Sequence, residues 1–389
     1  MFGAAGNSLV DRALDIVEKQ WPDMADAHMR VPLEAYRDEE LAAREREIFE
    51  TSPLALIAST EIAKPHDYLV RIAVGRSILF TRDADGVAHA FLNYCRHRGA
   101  EPASGCGNAR SFQCPYHAWT YDSLGHLVGM PLSDRYPDLD LSKLSLVELP
   151  SEERHGFVWV VVQPGVEIDV AEHLGDLDAD LAAMGCDQMT YFNSLRQEPL
   201  ASNWKSVSEG LIEALHLPYV HADTFALNPQ AVNMDLGFFD AIGPHVRWVL
   251  PMFGKEDVDR IRAIPAAERN PADYIGCVWL ISPGLLLATE YYGLIYADLA
   301  PGATPSEAVF RYGWLSPTLE PAAGLPLPQE MAARAARAIG QDKPVWEGCG
   351  RGLAQGAHGY ALIGRNEKGV QLMHESVARL TGYKGLSYL

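Results

Sequence analysis

Two short motifs each bring a cysteine and a histidine close together. Cys95-Arg-His97 is followed, after sixteen residues, by Cys114-Pro-Tyr-His117. Two thiolates and two imidazoles can hold a zinc ion, or a [2Fe–2S] cluster in which histidine replaces cysteine on one iron. Zinc fingers usually group their ligands by type, whereas each segment here supplies one cysteine and one histidine. The spacing favours a cluster with two unlike irons and leaves a zinc-stabilised β domain as the alternative.

A second group of potential metal ligands lies further along the chain. Glu209, Glu213 and His216 follow at i, i+4 and i+7, which predicts that they share one face of a helix over 203–217. A proline two residues later is expected to end this helix, so that His221 lies on the loop beyond and can turn back toward the same point. Two histidines and one carboxylate form the facial triad that binds Fe(II) and leaves positions open for dioxygen. In isolation, the same motif could be a surface feature near a helix end.

The residues around both motifs carry a resemblance to a known family. The segments concerned are Cys95-Arg-His-Arg-Gly99, Cys114-Pro-Tyr-His-Ala-Trp119, Asn203-Trp-Lys205 and Glu213-x-x-His216-x₄-His221. Together they resemble the large (alpha) oxygenase subunit of Rieske non-haem iron oxygenases, over nearly the whole chain.

The resemblance implies a role for each of these ligands. The cluster ligands would be Cys95, His97, Cys114 and His117, and the ligands of the mononuclear Fe(II) would include His216 and His221.

Asp342 is similar to the family's third iron ligand, with Glu347 as the fallback and a solvated acid before a helix as the plain alternative. Glu213 would bridge electron transfer from His97 or His117 of a neighbouring subunit, which implies a ring, a homotrimer. Many family members carry Asp at this bridging place, and the Glu here resembles the carnitine oxygenase-like subgroup.

The elements that must position these residues change in character along the chain. Amphipathic helices are predicted at 9–19 and 38–50, followed by strand-like runs and turns up to residue 162, and then by mixed helices and strands. We therefore expect an α+β protein with N-terminal helices (1–45) packed on the catalytic domain, an all-β Rieske [2Fe–2S] domain (46–164) and a catalytic mononuclear iron domain (165–389). The catalytic domain is expected to combine an antiparallel sheet with helices, of the helix-grip type that the resemblance implies.

Composition limits the partners. The formal net charge of −19 disfavours nucleic acid and anionic membrane surfaces. Six cysteines, two of them in the first motif, do not suggest a disulfide framework, which fits the cytoplasm. No apolar run is long enough to span a membrane and no secretory signal is evident.

The sequence also lacks a dinucleotide-binding glycine motif. Electrons are therefore expected from a separate NAD(P)H-dependent reductase, with or without a ferredoxin, docking near Arg96, Arg98 and Arg110.

These observations predict a terminal oxygenase that uses O2 to hydroxylate or demethylate a small organic substrate. An aromatic-rich region after His221 favours an apolar or aromatic substrate, although such residues also pack cores. The aromatic and apolar residues concerned are Phe225, Leu227, Phe238, Phe239, Trp248, Phe253, Trp279 and Tyr291. The alternatives are an oxygenase acting on a quaternary ammonium compound, a Rieske electron carrier without oxygenase activity, and a protein that holds zinc at both sites.

Overall fold

The computed structural model describes residues 6–189, 191–224, 233–356 and 358–389, with the side chains of 192–196 left aside. The chain forms two compact units, Phe49–His173 and the combination of Met1–Ile48 with Leu174–Leu389. The smaller unit extends to His173, beyond the domain end predicted at residue 164. The backbone N–H of Val170 donates to the Glu152 carboxylate and so holds this segment on the smaller unit.

Helices and strands are numbered in chain order. The helices are α1 Gly6–Lys19, α2 Glu34–Arg37, α3 Glu39–Thr51, α4 Val170–Leu174, α5 Leu177–Met184, α6 Trp204–Leu211, α7 Leu217–Val220, α8 Val258–Arg262, α9 Pro328–Gln355 and α10 Lys368–Thr381. The strands are β1 Met29–Pro32, β2 Leu54–Ala58, β3 Asp67–Ala73, β4 Arg76–Arg82, β5 Ala88–Leu92, β6 Cys106–Asn108, β7 Ser111–Gln113, β8 Thr120–Asp122, β9 Leu127–Gly129, β10 Glu148–Leu149, β11 Ser151–Arg154, β12 Phe157–Val160, β13 Tyr191–Leu200, β14 Phe238–Ile242, β15 His245–Pro251, β16 Ile275–Ile281, β17 Leu285–Glu290, β18 Gly293–Pro301, β19 Ala308–Ser316, β20 Tyr360–Ile363 and β21 Ser387–Tyr388.

The smaller unit is built from antiparallel strands. A five-stranded sheet has the order β10-β5-β4-β3-β6, and two three-stranded sheets have the orders β11-β12-β2 and β7-β8-β9. One core cluster packs Phe112, Trp119 and Tyr121 against the thiol-bearing residues Cys95 and Cys114. The potential cluster ligands are thus anchored in the hydrophobic core of this unit.

The larger unit is organised around a seven-stranded antiparallel sheet in the order β13-β19-β18-β17-β16-β15-β14. Helix α9 packs on β19 and β13, and α1 packs on β15. Every residue of β16 is buried. A strand covered on both faces has no polar alternation, which explains the apolar run at 275–281. None of the helices formed by the described residues is both long and apolar enough to cross a membrane.

Two helices differ from the predicted ones. The helix expected over 203–217 ends at Leu211, because the carboxylate of Glu213 accepts hydrogen bonds from the backbone N–H groups of Leu215 and His216 and so stabilises a turn instead. Conversely, α9 continues through Pro344, whose ring lies on the exposed side. Asp342 therefore lies inside a long helix and not before one.

Candidate active site

In the smaller unit, the two Cys-His motifs form matching tight turns. The N–H of Gly99 donates to the carbonyl of Cys95, and the N–H of Ala118 donates to that of Cys114. Gly99 and Ala118 both have positive φ, at 79° and 56°. Glycine adopts this conformation freely, whereas alanine is strained there and must be held by its surroundings.

The four side chains of these turns lie together. Both thiols are buried, at 4% and 2% exposure for Cys95 and Cys114, and the ring centroids of His97 and His117 are 4.4 Å apart. Among the described residues, the buried Nδ1 atom of His97 has no hydrogen-bond partner. A buried imidazole nitrogen with no partner is costly unless it binds something, so this atom fits a metal ligand.

The arrangement also bears on zinc. A tetrahedral zinc ion would hold its donor atoms within about 4 Å of one another. Within the described ranges of the chain, the three-donor group compact enough for a single ion is His216, His221 and Asp342, and the Cys-His set is not among such groups. The four donors are too widely spaced for a single ion and suit a larger cluster.

Tyr121 controls the surroundings of the first thiol. Its hydroxyl oxygen lies 3.3 Å from Cys95 Sγ and accepts a 2.9 Å hydrogen bond from the backbone N–H of Arg96. Burial and the hydrogen bond with Cys95 raise the pKa of Tyr121, so the hydroxyl stays protonated and is able to donate a hydrogen bond to a Cys95 thiolate. At the rim of the site, burial and then the charges of His97 and Arg98 lower the pKa of His117, which favours the neutral ligating imidazole.

In the larger unit, the second group of predicted ligands converges. Oδ1 of Asp342 lies 2.9 Å from Nε2 of His221 and 3.9 Å from Nε2 of His216. His221 and Asp342 are buried, and the three donor atoms all lie within 4.8 Å of one another. These residues can hold one metal ion on a single face of its coordination sphere. Glu347, the fallback ligand, is not part of this compact group.

The other ring nitrogens are fixed by neighbours. Nδ1 of His221 is 2.9 Å from Oε1 of Gln341, and Nδ1 of His216 contacts the Glu213 carboxylate. An Nδ1–H donor leaves Nε2 with its lone pair free for a metal. Burial alone would lower the pKa of His221, but hydrogen bonds with Asp342 and Gln341 raise it overall.

Glu209, expected on the same helix face, lies elsewhere. Its carboxylate accepts a 2.6 Å hydrogen bond from the Tyr36 hydroxyl and lies 2.9 Å from Nε2 of the buried His374. The turn after Leu211, and not a shared helix face, brings Glu213 beside His216.

A cavity of about 180 Å³ opens directly onto the three-ligand group. Its walls come from one face of the seven-stranded sheet, from α9, and from the end of α6 with the segment that follows it, and most of the lining side chains are aliphatic. They include Leu211, Leu217, Leu250, Val278, Leu286, Ala288, Ile295, Ala297, Ala335 and Ile339.

Of the predicted aromatic residues that the structure describes, Trp248 alone lines this cavity. Side chains alternate along a strand, so Trp279 points to the opposite face of β16, where its Nε1 donates to Asp180. The predicted pocket residues Phe225 and Leu227 lie outside the described residues.

Comparison with known proteins identifies the architecture. Residues 52–146 match the model of the Rieske [2Fe-2S] domain, and residues 172–382 match that of the ring hydroxylating alpha subunit (catalytic domain). The chain belongs to this family of Rieske oxygenase alpha subunits. Its cofactors are accordingly a Rieske [2Fe–2S] cluster and a mononuclear iron, and the predicted family, fold class and cofactors are confirmed.

Relatives of this alpha subunit differ in what they oxidise. The carnitine monooxygenase oxygenase subunit of Escherichia coli (strain K12) is 30% identical over 195 residues, covering 49% of this chain and 52% of that protein. A crystal structure of a quaternary ammonium Rieske monooxygenase with L-carnitine has a TM-score of 0.76 at 22% identity, over 93% of this chain and 97% of that one. A naphthalene 1,2-dioxygenase variant bound to phenanthrene has a TM-score of 0.73 at 19% identity, over 95% and 96%. The alpha subunit thus matches about half the length of such curated relatives, and the two solved structures show a shared fold alone.

Three residues of these sites were not found from the sequence. Tyr121 and Gln341 act through their neighbours, which only the folded chain reveals. Glu290, which lines the cavity, is the last residue of β17. The alternation Leu286, Ala288, Glu290 along that strand was the signal available.

Proposed function

We propose that this alpha subunit is a terminal oxygenase. It takes electrons from a separate NAD(P)H-dependent reductase, directly or through a ferredoxin, and uses O2 to hydroxylate or demethylate a small organic substrate. The observation that carries this proposal is the convergence of His216, His221 and Asp342 at the wall of an apolar cavity. A carrier of electrons alone has no need of an apolar chamber beside a second metal.

Each residue has a defined part in the proposal. Cys95, Cys114, His97 and His117 hold the cluster, and the three converging residues hold the iron. When bound, the cluster supplies electrons one at a time and the iron supplies a site for dioxygen activation. The aliphatic walls exclude water and orient the substrate next to the iron ligands.

Glu213 is the proposed electron bridge. Its carboxylate contacts Nδ1 of His216 and also lines an open depression of about 840 Å³ on the other side of the iron ligands. An open, partly polar surface that reaches a ligand-bound carboxylate suits a docking protein domain. In this proposal the domain is the Rieske domain of a neighbouring copy, with His97 or His117 facing Glu213 in a homotrimer.

The reductase or ferredoxin is proposed to dock beside the cluster. Arg96, Arg98 and Arg110 are exposed there, on a chain whose net charge is −19. A local basic surface on an acidic protein steers an acidic partner. Charge reversal of all three arginines should slow cluster reduction by the partner while leaving reduction by dithionite unchanged, and unaltered reduction by the partner would refute this docking site.

The proposed substrate has a mainly apolar body, because the cavity wall is mainly aliphatic. A quaternary ammonium compound is the second candidate, since relatives carry that substrate in their names. A panel of aromatic compounds and of trimethylammonium compounds, assayed for reductase-dependent O2 uptake and product formation, separates the two classes.

Asp342→Asn is the control for the enzyme assay. It should keep the visible spectrum of the cluster and lose substrate-dependent O2 uptake. Uptake that persists in this variant with stoichiometric product would exclude the proposed iron site. A wild-type protein that accepts electrons and oxidises no member of the panel would favour the electron-carrier alternative.

A further inference from the structure

Glu290 stands out among the cavity residues. It is 6% exposed and lies on the same face of β17 as Leu286 and Ala288, both of which line the cavity. The described lining of the cavity contains three acidic residues. Glu213 and Asp342 lie next to the iron histidines, and Glu290 is the third. An acid in an aliphatic wall is costly, so its presence calls for an explanation.

The fold does not satisfy this carboxylate completely. Among the acidic side chains in the described parts of the chain, Oε1 of Glu290 is the buried oxygen that has no hydrogen-bond donor. Nη1 of Arg334 lies 3.2 Å away, close enough for charge attraction, without the alignment of a hydrogen bond. Burial raises the pKa of Glu290 to about 7 despite the opposing effect of Arg334. The carboxylate therefore retains capacity for a further cation.

The position of Glu290 relative to the iron ligands follows from α9. Ala335, Ile339 and Asp342 line the cavity at helical spacing, so the cavity runs along this helix. Arg334 lies eight residues before Asp342, about 12 Å along the axis. The contact with Arg334 places Glu290 near the end of the cavity away from Asp342.

We propose that Glu290 is a specificity-determining residue that binds the positively charged end of an ammonium substrate, with the apolar part of that substrate extending toward the iron ligands. This inference rests on the proposed oxygenase function and names its substrate class. A trimethylammonium group suits this acid because its positive charge attracts the carboxylate and its polarised C–H groups can contact Oε1, while its methyl groups pack against the aliphatic wall. Arg334 contacts Glu290 and also lines a separate depression at the protein surface. A ligand therefore reaches Glu290 from the cavity side.

The test measures binding and not turnover. Trimethylammonium compounds of increasing chain length, each matched to the tert-butyl compound in which carbon replaces the charged nitrogen, are titrated into the metal-loaded protein by calorimetry. At least one charged member should bind about tenfold or more tightly than its neutral match. Glu290→Gln should abolish that preference while leaving the affinity for the neutral compounds within about threefold.

Two further variants distinguish ligand binding from other effects. Glu268→Gln removes one exposed acidic charge outside the cavity and should keep the preference, which controls for the overall negative charge. Arg334→Gln removes the internal partner and should also keep the preference at pH 8.5. Equal loss of the preference in Arg334→Gln and Glu290→Gln would identify the pair as a structural link between β17 and α9 and overturn the proposal.

The outcomes also separate this inference from the proposed function. A wild-type protein that oxidises neutral compounds and shows no preference for any charged member would overturn the role of Glu290 and leave the oxygenase intact. Charge-selective binding that depends on Glu290, in a protein that oxidises nothing, would support the site and contradict the oxygenase.

Discussion

Replacing Glu290 with glutamine should change how the free energy of unfolding depends on pH. The pKa of this carboxyl rises from 4.5 in the unfolded chain to about 7 in the folded protein, chiefly through burial. Below pH 4.5 the group is protonated in both states. Between pH 4.5 and 7 the unfolded chain releases the proton that the folded protein keeps, so the wild-type protein loses stability as the pH rises through this window.

The magnitude follows from the shift. At about 1.36 kcal/mol for each pKa unit, the wild-type protein should lose about 3 kcal/mol relative to Glu290→Gln across the whole window. About 2 kcal/mol of this falls between roughly pH 5.5 and 8, where the metal centres are easier to keep intact. Because glutamine does not titrate, the change should be seen as a difference between the two proteins that grows with pH. The charge attraction of Arg334 for the ionised carboxylate is already included in the pKa of about 7, so only the difference between the contacts of the protonated carboxyl and those of the glutamine amide adds an offset that does not depend on pH.

The assay is urea unfolding of both metal-loaded proteins under anaerobic conditions at several pH values, followed by tryptophan fluorescence. Other ionisable groups contribute equally to the two proteins, so they cancel in the difference. A difference in unfolding free energy that stays constant from about pH 5.5 to 8 would refute the reasoning, because it would mean that Glu290 titrates alike in the folded and unfolded chains.

Three other predictions concern the metal centres. Asp342→Asn should lose the mononuclear iron, about one third of the iron in each chain, and keep the cluster spectrum, whereas Glu347→Gln should keep both metal centres. Iron analysis with visible spectroscopy checks this prediction, and an equal loss of iron in Glu347→Gln would contradict the ligand assignment. Glu213→Gln should keep both metals and slow multiple-turnover oxidation by roughly 10–100-fold or more, measured by reductase-coupled O2 uptake; normal rates would defeat the bridging role. Tyr121→Phe should lower the cluster reduction potential by about 20–60 mV, since it removes one hydrogen bond to Cys95; an unchanged potential in a redox titration would exclude that effect.

The cluster motif could be recognised in the sequence because its four candidate ligands lie in two local turns. Gly99 and the four ligands specify these turns within a few residues, and little depends on the rest of the chain. Tyr121 reaches the Cys95 turn from strand β8, so that contact depends on how β8 packs. Local geometry was therefore accessible, and the hydrogen bond that tunes it was not.

The iron site depends less on local sequence and more on tertiary packing than the cluster motif does. Its three candidate ligands lie close together, yet the helix that was expected to align two of them ends at Leu211. Gly210 lies so close to the indole of Trp346 that an added Cβ would be 2.6 Å from Nε1, and this approach couples the end of α6 to α9. Helical periodicity cannot report such a tertiary constraint. It also could not reveal that α9 continues past Pro344, where the carbonyl of Gly340, which loses its helical hydrogen bond, is at an exposed position.

Buried acids in this protein differ in whether other residues donate hydrogen bonds to them. That difference separates acids that link elements of the fold from an acid that is available to a ligand. Glu45 accepts hydrogen bonds from the indole of Trp204 and from Lys205, and Asp298 accepts two from the guanidinium of Arg311. Each of these carboxylates has donors supplied by the fold, as is usual where an acid links elements. Glu290 has a positive charge nearby, but no described residue donates a hydrogen bond to its buried Oε1, whereas Glu45 and Asp298 receive such hydrogen bonds. Glu290 therefore differs from the other acids compared, because its Oε1 lacks the hydrogen bond that they receive. A ligand that enters the cavity and contacts this oxygen is the best explanation of the difference.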